Sequence, residues 1–188
     1  MSITAPAVTS TEPVAGTYDI DPAHSAITLE ARHLVFTKAR ASFGEFSGTV
    51  VIADDPTASS VELDIQAASI DSKQPDRDGH LRSPEFLDAE THPAITVRSV
   101  AVRPVGNGRW DVEADVTARG ITRRIALDTE FLGATTDPWG GYRVALSAAT
   151  EIDREDFGMA WNVALDTGGV VLGRKVKVQA ELEAVRRS

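Results

Sequence analysis

The residues best suited to chemistry lie in one short polar segment, residues 76–86. Within it, Arg77, Asp78, His80 and Arg82 bring two guanidinium groups, a carboxylate and an imidazole close together in the sequence. A carboxylate beside a histidine can move protons near neutral pH, and an arginine fork matches a carboxylate or a phosphate. The segment is therefore a candidate acid–base centre or a candidate grip on an anionic head group.

A structural interpretation of the same four side chains competes with both. The segment falls in a connection of about two dozen residues between predicted strands, and a connection of that length must satisfy its own backbone polar groups. An internal cluster of ion pairs and hydrogen bonds does so. We favour this structural polar cluster, with head-group contact as the next alternative and catalysis as the last.

Four histidines are the remaining candidates, as metal ligands. They are His24, His33, His80 and His92, and their spacing matches no zinc motif. His24 follows Pro22 at the start of a strand and His92 directly precedes Pro93, positions that are typical of turn chemistry. His33 is in phase with an apolar strand face, so it is either a satisfied core histidine or a polar anchor in a cavity. We expect no metal, no cofactor and no catalytic residue.

Composition excludes several classes of function. The 188 residues suffice for one domain with its own core, and the chain contains no cysteine. The absence of cysteine excludes disulfides, thiol catalysis and thiolate zinc sites. The formal net charge of -9 argues against a nucleic-acid partner and against adhesion to anionic membrane surfaces.

The first residues differ in composition from the rest. Residues 1–15 are rich in Ser, Thr, Pro and Ala and lack the basic and apolar regions of a secretory signal. We expect a short disordered leader, a single domain over residues 16–188 and a cytoplasmic location. No apolar run reaches the roughly 18 residues that a transmembrane segment needs.

The elements that must position these residues are strands. From about Tyr18 onward, apolar and polar residues alternate: Val112, Ala114 and Val116, for example, alternate with Asp111 and Glu113. One-sided strands of this kind belong to antiparallel sheets with one solvated face. We count eight or nine strands, separated by turn signals such as residues 54–56, 106–108 and 137–141.

One or two short helices are expected in the long connections. Ser83 is a candidate N-cap, with Pro84 at the first helical position. The strands themselves fit either a two-sheet sandwich or a closed barrel of about eight strands, which has room for one small ligand. Small residues on the inward faces favour the barrel modestly; they are Ala31, Ala67, Ala114, Ala118, Ala148 and Ala180.

Eight segments, in chain order, carry a resemblance to a known family. They are YDIDPAHS (18–25), HL (33–34), FGEFSG (43–48), SIDS (69–72), RDGHLRSPEFLD (77–88), HPAI (92–95), VTARGITR (116–123) and IDREDFG (152–158). With them the chain resembles the YceI-like family of lipocalin-like, polyisoprenoid-binding proteins. The longest of the segments, 77–88, is the most specific.

The resemblance implies an all-β fold, an extended antiparallel barrel with an elongated apolar tunnel along its axis. An isoprenoid quinone, a polyprenyl derivative or another lipophilic ligand would lie in that tunnel, with no catalytic machinery and no metal. The chain departs from the family's pattern at residues 39–43 and at Arg174, which reverses a charge near one end of the barrel. Homodimer formation stays open.

The predicted ligand-binding residues are inward-facing apolar side chains with one histidine, together with one aromatic residue from each long connection. They are Ile27, Leu29, His33, Phe43, Phe46, Ile65, Phe86, Val97, Val112, Leu127, Phe131, Val144, Leu146, Trp161 and Val178. Two alternatives to a binding protein remain. One is an enzyme, a hydrolase or isomerase that uses the Arg77–Arg82 block on a lipophilic substrate. The other is a structural protein with a filled core and no ligand.

Overall fold

The computed structural model describes residues 13–34, 36–166 and 168–187. These residues form eleven strands, one α-helix and four single-turn 3-10 helices. The strands are β1 (Gly16–Ile20), β2 (Ala26–His33), β3 (Thr37–Phe43), β4 (Phe46–Ile52), β5 (Ser60–Gln66), β6 (Ile70–Asp71), β7 (Ala94–Gly106), β8 (Arg109–Ala118), β9 (Ile121–Thr136), β10 (Tyr142–Asp153) and β11 (Leu172–Arg186), and the helix is α1 (Pro75–Arg82). Most of the predicted leader, residues 1–15, lies outside the described residues.

The strands close into one antiparallel ring. β4, β5, β7, β8, β9, β10 and β11 follow one another in hydrogen-bonded pairs, and β1 pairs with both β4 and β11. β2 continues β1 along β11, β3 runs beside β2, and β6 continues β5 along β3. The wall thus has eight long strands. Three of them are interrupted once each, between β1 and β2, between β3 and β4, and between β5 and β6. The predicted antiparallel barrel is confirmed, and the sandwich alternative is wrong because a single closed sheet forms the wall.

The three breaks lie on adjacent strands and form a crease across the wall. They fall at residues 21–25, 44–45 and 67–69. At the first break, Pro22 has no N–H to donate to a ladder and begins a 3-10 turn capped by Asp21. At the second, the Gly44 N–H donates to the Ser69 carbonyl at 3.1 Å, which links the second break to the third. Beyond the crease β6 pairs with β3 alone, so its other edge has no neighbouring strand within the described chain.

Alternation along the strands sorts the side chains between the interior and the surface. On β8, Val112 and Ala114 are buried, whereas Asp115 faces outward and pairs with Arg124 of β9 at 2.6 Å. The tight β7–β8 turn expected at residues 106–108 is present, with Asn107 and both flanking glycines at positive φ. Within the described residues, no helix is both long and apolar enough to cross a bilayer.

The helix expected from Ser83 onward is wrong in position. The actual helix, α1, ends at Arg82, and Ser83 is its C-cap. Its N-cap is Gln74, whose side-chain oxygen accepts a hydrogen bond from the Arg77 N–H at 2.5 Å, and Pro75 supplies the preset φ of the first turn. The proline and the two acids that follow it are the start signal in the sequence; Pro84 instead lies in a turn after the helix.

Candidate ligand-binding cavity

An apolar cavity of about 270 Å³ occupies the barrel interior. Each of the eight long strands contributes to its lining, because alternate residues of every strand point inward. On β8 the lining extends from Trp110 to Ala118. At about 3.3 Å per residue and a strand tilt near 40°, that span corresponds to roughly 20 Å along the barrel axis. The cavity is therefore a tunnel with the proportions of a single extended chain.

One end of the tunnel, the mouth end, lies where β4 turns into β5, β7 into β8 and β9 into β10. A second cavity of about 710 Å³ is found there, lined partly by exposed turn residues such as Asp54 and Arg109. The two cavities share Pro13, Trp110 and Phe131, together with Ile52 at the end of β4. The tunnel therefore continues into a wider and more polar space at this end.

The opposite end, the covered end, carries α1, the connection that follows it and the 3-10 turn Arg154–Phe157. Leu87, Phe157 and Met159 line the tunnel there and are themselves buried. A ring cluster packs beside them: the centroids of His80 and Trp161 lie 4.6 Å apart at nearly perpendicular planes. Two long connections thus cover this end of the barrel with apolar and aromatic side chains.

Ten of the fifteen predicted ligand-binding residues line the tunnel. They are Ile27, Leu29, Phe43, Ile65, Val97, Val112, Leu127, Phe131, Leu146 and Val178. The other five lie elsewhere within the described chain: Phe46 and Val144 are packed in the core, and Phe86 and Trp161 belong to the ring cluster. His33 pairs with Leu172 at the last position of β2. Binding by any of the fifteen stays a prediction.

Two members of the predicted polar cluster bind Ser72, which directly follows β6. Asp78 is buried and accepts hydrogen bonds from the Ser72 N–H at 2.7 Å and its hydroxyl at 2.5 Å. Arg77 donates to the same hydroxyl and to the Ser72 carbonyl, each at 2.7 Å. The helix thereby satisfies backbone and side-chain polar groups that no adjacent strand serves.

The other two members complete this arrangement. Arg82 donates to the carbonyls of Ala68 and Ile70, each at 2.7 Å, along the unpaired edge of β6. His80 contacts Glu85 at 2.6 Å. None of the four side chains of the predicted polar cluster belongs to the tunnel lining. Side chains of α1 thus take the place of a neighbouring strand at the edge of β6.

The histidines are found in separate places in the described structure. His24 lies 2.9 Å from Asp21, and with Glu183 these groups place three ligand atoms within 4.8 Å of one another. Arg143 occupies the same acids: its Nη1 donates to Asp21 at 2.8 Å and to Glu183 at 2.5 Å. The Arg143 hydrogen bond, followed by that of His24, lowers the pKa of Asp21 to about 2. The Arg143 guanidinium already bridges both carboxylates, so the geometry is that of an ion-pair network.

Arg174, the departure from the family's pattern, has partners at the covered end. It donates to Asp153 at 2.8 Å and lies 3.1 Å from Glu155. These ion pairs join the start of β11 to the end of β10. The reversed charge is accommodated by two acids on the neighbouring element.

Among the tunnel-lining residues that were not predicted from the sequence, Arg154 is the charged one within the described chain. Its side chain is 2% exposed and contacts the tunnel at the covered end. It donates to the carbonyls of Met159, Gly173 and Leu172, the last two at 3.1 and 3.4 Å. Its guanidinium carbon lies 6.0 Å from the ring centroid of Phe86. Burial lowers the pKa of Arg154, because removal from water disfavours the charged form, yet an arginine stays protonated at neutral pH.

The signal for Arg154 in the sequence was weak. It directly follows the alternating face that ends at Ile152 and sits among acids, which suggests a surface turn. In the structure the Asp153 side chain caps a 3-10 turn by accepting a hydrogen bond from the Glu155 N–H at 3.0 Å, and Arg154, two residues after Ile152 on the same face, is buried in that turn. Within the described residues, Arg154 is the one charged side chain of the tunnel lining.

Comparison with known sequences identifies relatives along most of the chain. The family model described as the YceI-like domain matches residues 18–184. A UPF0312 protein of Vibrio cholerae is 37% identical over 144 residues, which are 75% of this chain and 75% of that protein. A UPF0312 protein of Azotobacter vinelandii is 32% identical over 142 residues, 75% of this chain and 74% of its own length.

Solved structures share the architecture. BcnA of Burkholderia cenocepacia superposes with a TM-score of 0.75 at 19% identity, covering 87% of this chain and 98% of its own. A polyisoprenoid binding domain from Saccharophagus degradans, implicated in plant cell wall breakdown, gives a TM-score of 0.71 at 17% identity over 93% of this chain and 100% of its own. At these identities the likeness establishes the fold alone.

Proposed function

The chain belongs to the YceI-like domain family, and from this premise we propose that it binds a long-chain lipophilic molecule inside the barrel. The ligand class is a polyisoprenoid, such as an isoprenoid quinone tail or a polyprenyl derivative. The protein sequesters or carries this molecule away from water. One relative in fold is a polyisoprenoid binding domain by name, which supports the same class here.

The observation that carries the proposal is the apolar tunnel itself. Its lining is almost wholly aliphatic and aromatic, and its volume of about 270 Å³ lies just below the range of ~300–1,000 Å³ common for ligand pockets. Each methylene group moved from water into such a lining gains about 0.8 kcal/mol. A five-carbon isoprene unit therefore gains roughly 3–4 kcal/mol, so a few units suffice for tight binding.

Chain length follows from the shape of the two cavities. A short isoprenoid fits within the tunnel alone, whereas a longer chain continues past Trp110 and Phe131 into the second cavity of about 710 Å³. That second space is partly lined by polar turn residues, so additional units gain less there than in the tunnel. Affinity should rise steeply over the first units and then level off.

The enzyme alternative lacks a supporting observation. It requires the Arg77–Arg82 block to face the lipophile. Instead, Arg77 and Asp78 bind Ser72, Arg82 binds the carbonyls of Ala68 and Ile70, and His80 contacts Glu85. Within the described lining, Arg154 is the one titratable side chain, so an acid–base pair beside the ligand has no candidate residues. The fully packed structural protein has less support still, since the interior contains a tunnel.

Organic extraction and native mass spectrometry of the purified protein test the proposal directly. We expect a bound lipophile of defined mass that is released by organic solvent. The variant Ala180→Trp fills the tunnel, because Ala180 lines it, and should lose that mass. The matched control is Gln179→Trp, one residue earlier on β11 and exposed on the outer face. Equal ligand content in the two variants, or no lipophile bound under any condition, would overturn the proposal.

A further inference from the structure

We infer that the mouth end of the barrel docks on the surface of a zwitterionic lipid bilayer, so that the ligand passes between the tunnel and the membrane without crossing bulk water. The contact is made by the apolar rim, which consists of Val105, Leu132 and Trp139. This inference rests on the proposed function and adds a partner to it, the bilayer with which the bound lipophile is exchanged.

The first argument is the exposure of the rim. The side chains of Val105, Leu132 and Trp139 are 55%, 51% and 87% exposed. Val105 lies at the end of β7, Leu132 lies toward the end of β9, and Trp139 lies in the turn between β9 and β10, so all three are at the mouth end. Large apolar side chains grouped on a surface ordinarily mark a contact with another protein or with a membrane. The rim is therefore a candidate contact surface.

Two β-bulges build the rim. On β7, the residues before and after Val105 pair with consecutive residues of β8, which leaves Val105 as the extra residue. On β9, the residues before and after Leu132 pair with consecutive residues of β10, which leaves Leu132 as the extra residue. A bulge interrupts the hydrogen-bond ladder, and bulges are concentrated at the rims of barrels and beside functional sites. Here each bulge presents one large apolar side chain to water.

The second argument is continuity between the rim and the tunnel. Leu132 lines the second cavity, and the preceding residue, Phe131, lines both the second cavity and the tunnel. Trp110 also lines both. Apolar surface therefore extends from the tunnel wall to the exposed side chain of Leu132. A lipophile that leaves the tunnel reaches the rim next, and a bilayer docked there receives it into an apolar medium.

A second group of exposed apolar residues lies at the covered end. It consists of Leu34 and Phe36 in the β2–β3 turn together with Val163 and Val170. The Leu34 N–H donates to the Val171 carbonyl at 2.9 Å, which joins the two segments. None of the four exposed residues lines the tunnel. A membrane at this end would have no apolar path to the ligand, so the group serves as a comparison.

Charge decides which lipid surface fits the rim. Two arginines near it are already paired, Arg103 with Glu113 at 2.8 Å and Arg109 with Asp128 at 2.6 Å. Asp54 in the neighbouring β4–β5 turn is exposed, and the whole chain has a formal net charge of -9. Anionic lipids are therefore repelled, whereas a phosphatidylcholine surface has no net charge. A tryptophan suits its headgroup region, because the ring is apolar and the N–H is polar.

Quenching of tryptophan fluorescence by brominated lipid tests this docking without any added ligand. The purified chain is mixed with phosphatidylcholine vesicles whose acyl chains carry bromine near the headgroup, and with unbrominated vesicles as the reference. We expect the brominated vesicles to quench the wild-type emission by up to about one-third, the share of one tryptophan among three. Brominated vesicles that also contain phosphatidylglycerol, an anionic lipid, should quench it less.

Val105→Asp places a carboxylate on the rim and should weaken binding to the vesicles about fivefold or more, because the apolar contact is lost and a charge must enter the headgroup region. The matched control is Phe36→Asp, which introduces the same charge at a side chain 88% exposed at the covered end, and it should keep the wild-type quenching. Trp139→Phe keeps an aromatic ring on the rim. It should remove the quenching signal while the chain still floats with the vesicles.

Equal emission of the wild-type chain with brominated and unbrominated vesicles overturns the inference, and this comparison decides the matter even if Val105→Asp fails to fold. A greater loss of quenching in Phe36→Asp than in Val105→Asp also overturns it, because the covered end is then the contact. So does a wild-type dimer that Val105→Asp makes monomeric and that vesicles do not quench, because a second copy then covers the rim. All three outcomes leave the proposed function standing. Absence of an extracted lipophile overturns the proposed function instead, whatever the quenching.

Discussion

Arg143 and Asp21 lie 122 positions apart in the sequence, and Nη1 of Arg143 donates a hydrogen bond of 2.8 Å to Oδ2 of Asp21. The same guanidinium reaches Glu183 on β11 at 2.5 Å and Asp137 in the β9–β10 turn at 2.8 Å. One side chain therefore joins the first break in the wall to the last strand and to a turn at the mouth end. The four groups are only about one-fifth exposed on average, so solvent screens them incompletely.

Arg143→Gln should lower the free energy of unfolding by about 1 kcal/mol after allowance for solvent screening. The effect should depend on pH. The folded state holds the pKa of Asp21 at about 2, below its ordinary value of 3.8. A depressed carboxyl pKa contributes stability that is complete above the ordinary value and is lost as pH falls toward the folded one.

Urea unfolding of both chains at pH 6 and pH 3, followed by circular dichroism, measures this. The difference between wild type and Arg143→Gln should be smaller at pH 3. Arg124→Gln, which breaks an exposed pair with Asp115 on the regular β8–β9 ladder, is the control and should change stability little. An equal difference at both pH values would mean that Arg143 acts through packing alone.

Two glycine-to-alanine substitutions should have opposite signs. A Cβ at Gly48 would lie 2.3 Å from the carbonyl oxygen of Glu62 on the paired strand, so Gly48→Ala should destabilise the barrel by about 1–3 kcal/mol. A Cβ at Gly79 of α1 meets no atom within 4 Å. Gly79→Ala should stabilise by about 0.5–1 kcal/mol, because alanine is the better helix former. Thermal unfolding of the two variants beside wild type checks both signs.

Asp78→Ala should destabilise the chain by about 2–3 kcal/mol, since it strands the buried N–H and hydroxyl of Ser72 without an acceptor. Lipophile affinity should stay within about twofold, because Asp78 lies outside the tunnel lining. Asp76→Ala, an exposed acid in the same helix turn, serves as the control for stability. A loss of affinity without a loss of stability in Asp78→Ala would revive the head-group interpretation of the polar cluster.

Trp110→Ala should speed ligand release. Trp110 lines both cavities at their junction, so its truncation widens the path to solvent. We expect the dissociation rate of bound retinol to rise about tenfold or more, with a smaller change in the association rate. Stopped-flow dilution measures both rates. Trp139 is 87% exposed at the tip of the β9–β10 turn, so Trp139→Ala should leave them unchanged; equal rates in the two variants would place the exit elsewhere.

Much of the fold was predictable from local pattern. A period of two fixes which face of a strand is apolar, and the motif resemblance, confirmed by the match over residues 18–184, supplies the closure of the sheet. The α1 start was missed because Ser83-Pro84 resembles a helix start as closely as Gln74-Pro75 does. Only the second pair is followed by two acids that suit a helix N-terminus.

The lining of the tunnel was less predictable. Val144 shares its inward face with Leu146, yet Val144 pairs with Ala184 near the mouth end and is enclosed by the core. Alternation gives the side of the wall that a residue faces but not its height along the axis. Arg154 was missed for a different reason: it continues the inward face that ends at Ile152, but its charge and the acids beside it suggested a surface turn, whereas the residue is buried in a 3-10 turn.

The crease across β1–β6 divides the wall into two mechanical parts. On the mouth side, every strand is hydrogen-bonded to a strand on each side. Widening the barrel there must therefore stretch a closed ring of backbone hydrogen bonds. On the covered side, β2, β3 and β6 form a three-stranded flap whose free edge is joined to the rest through side chains of α1. We therefore expect a bulkier ligand to displace these three strands, because the few side-chain contacts that hold their free edge break more easily than a closed ring of backbone hydrogen bonds.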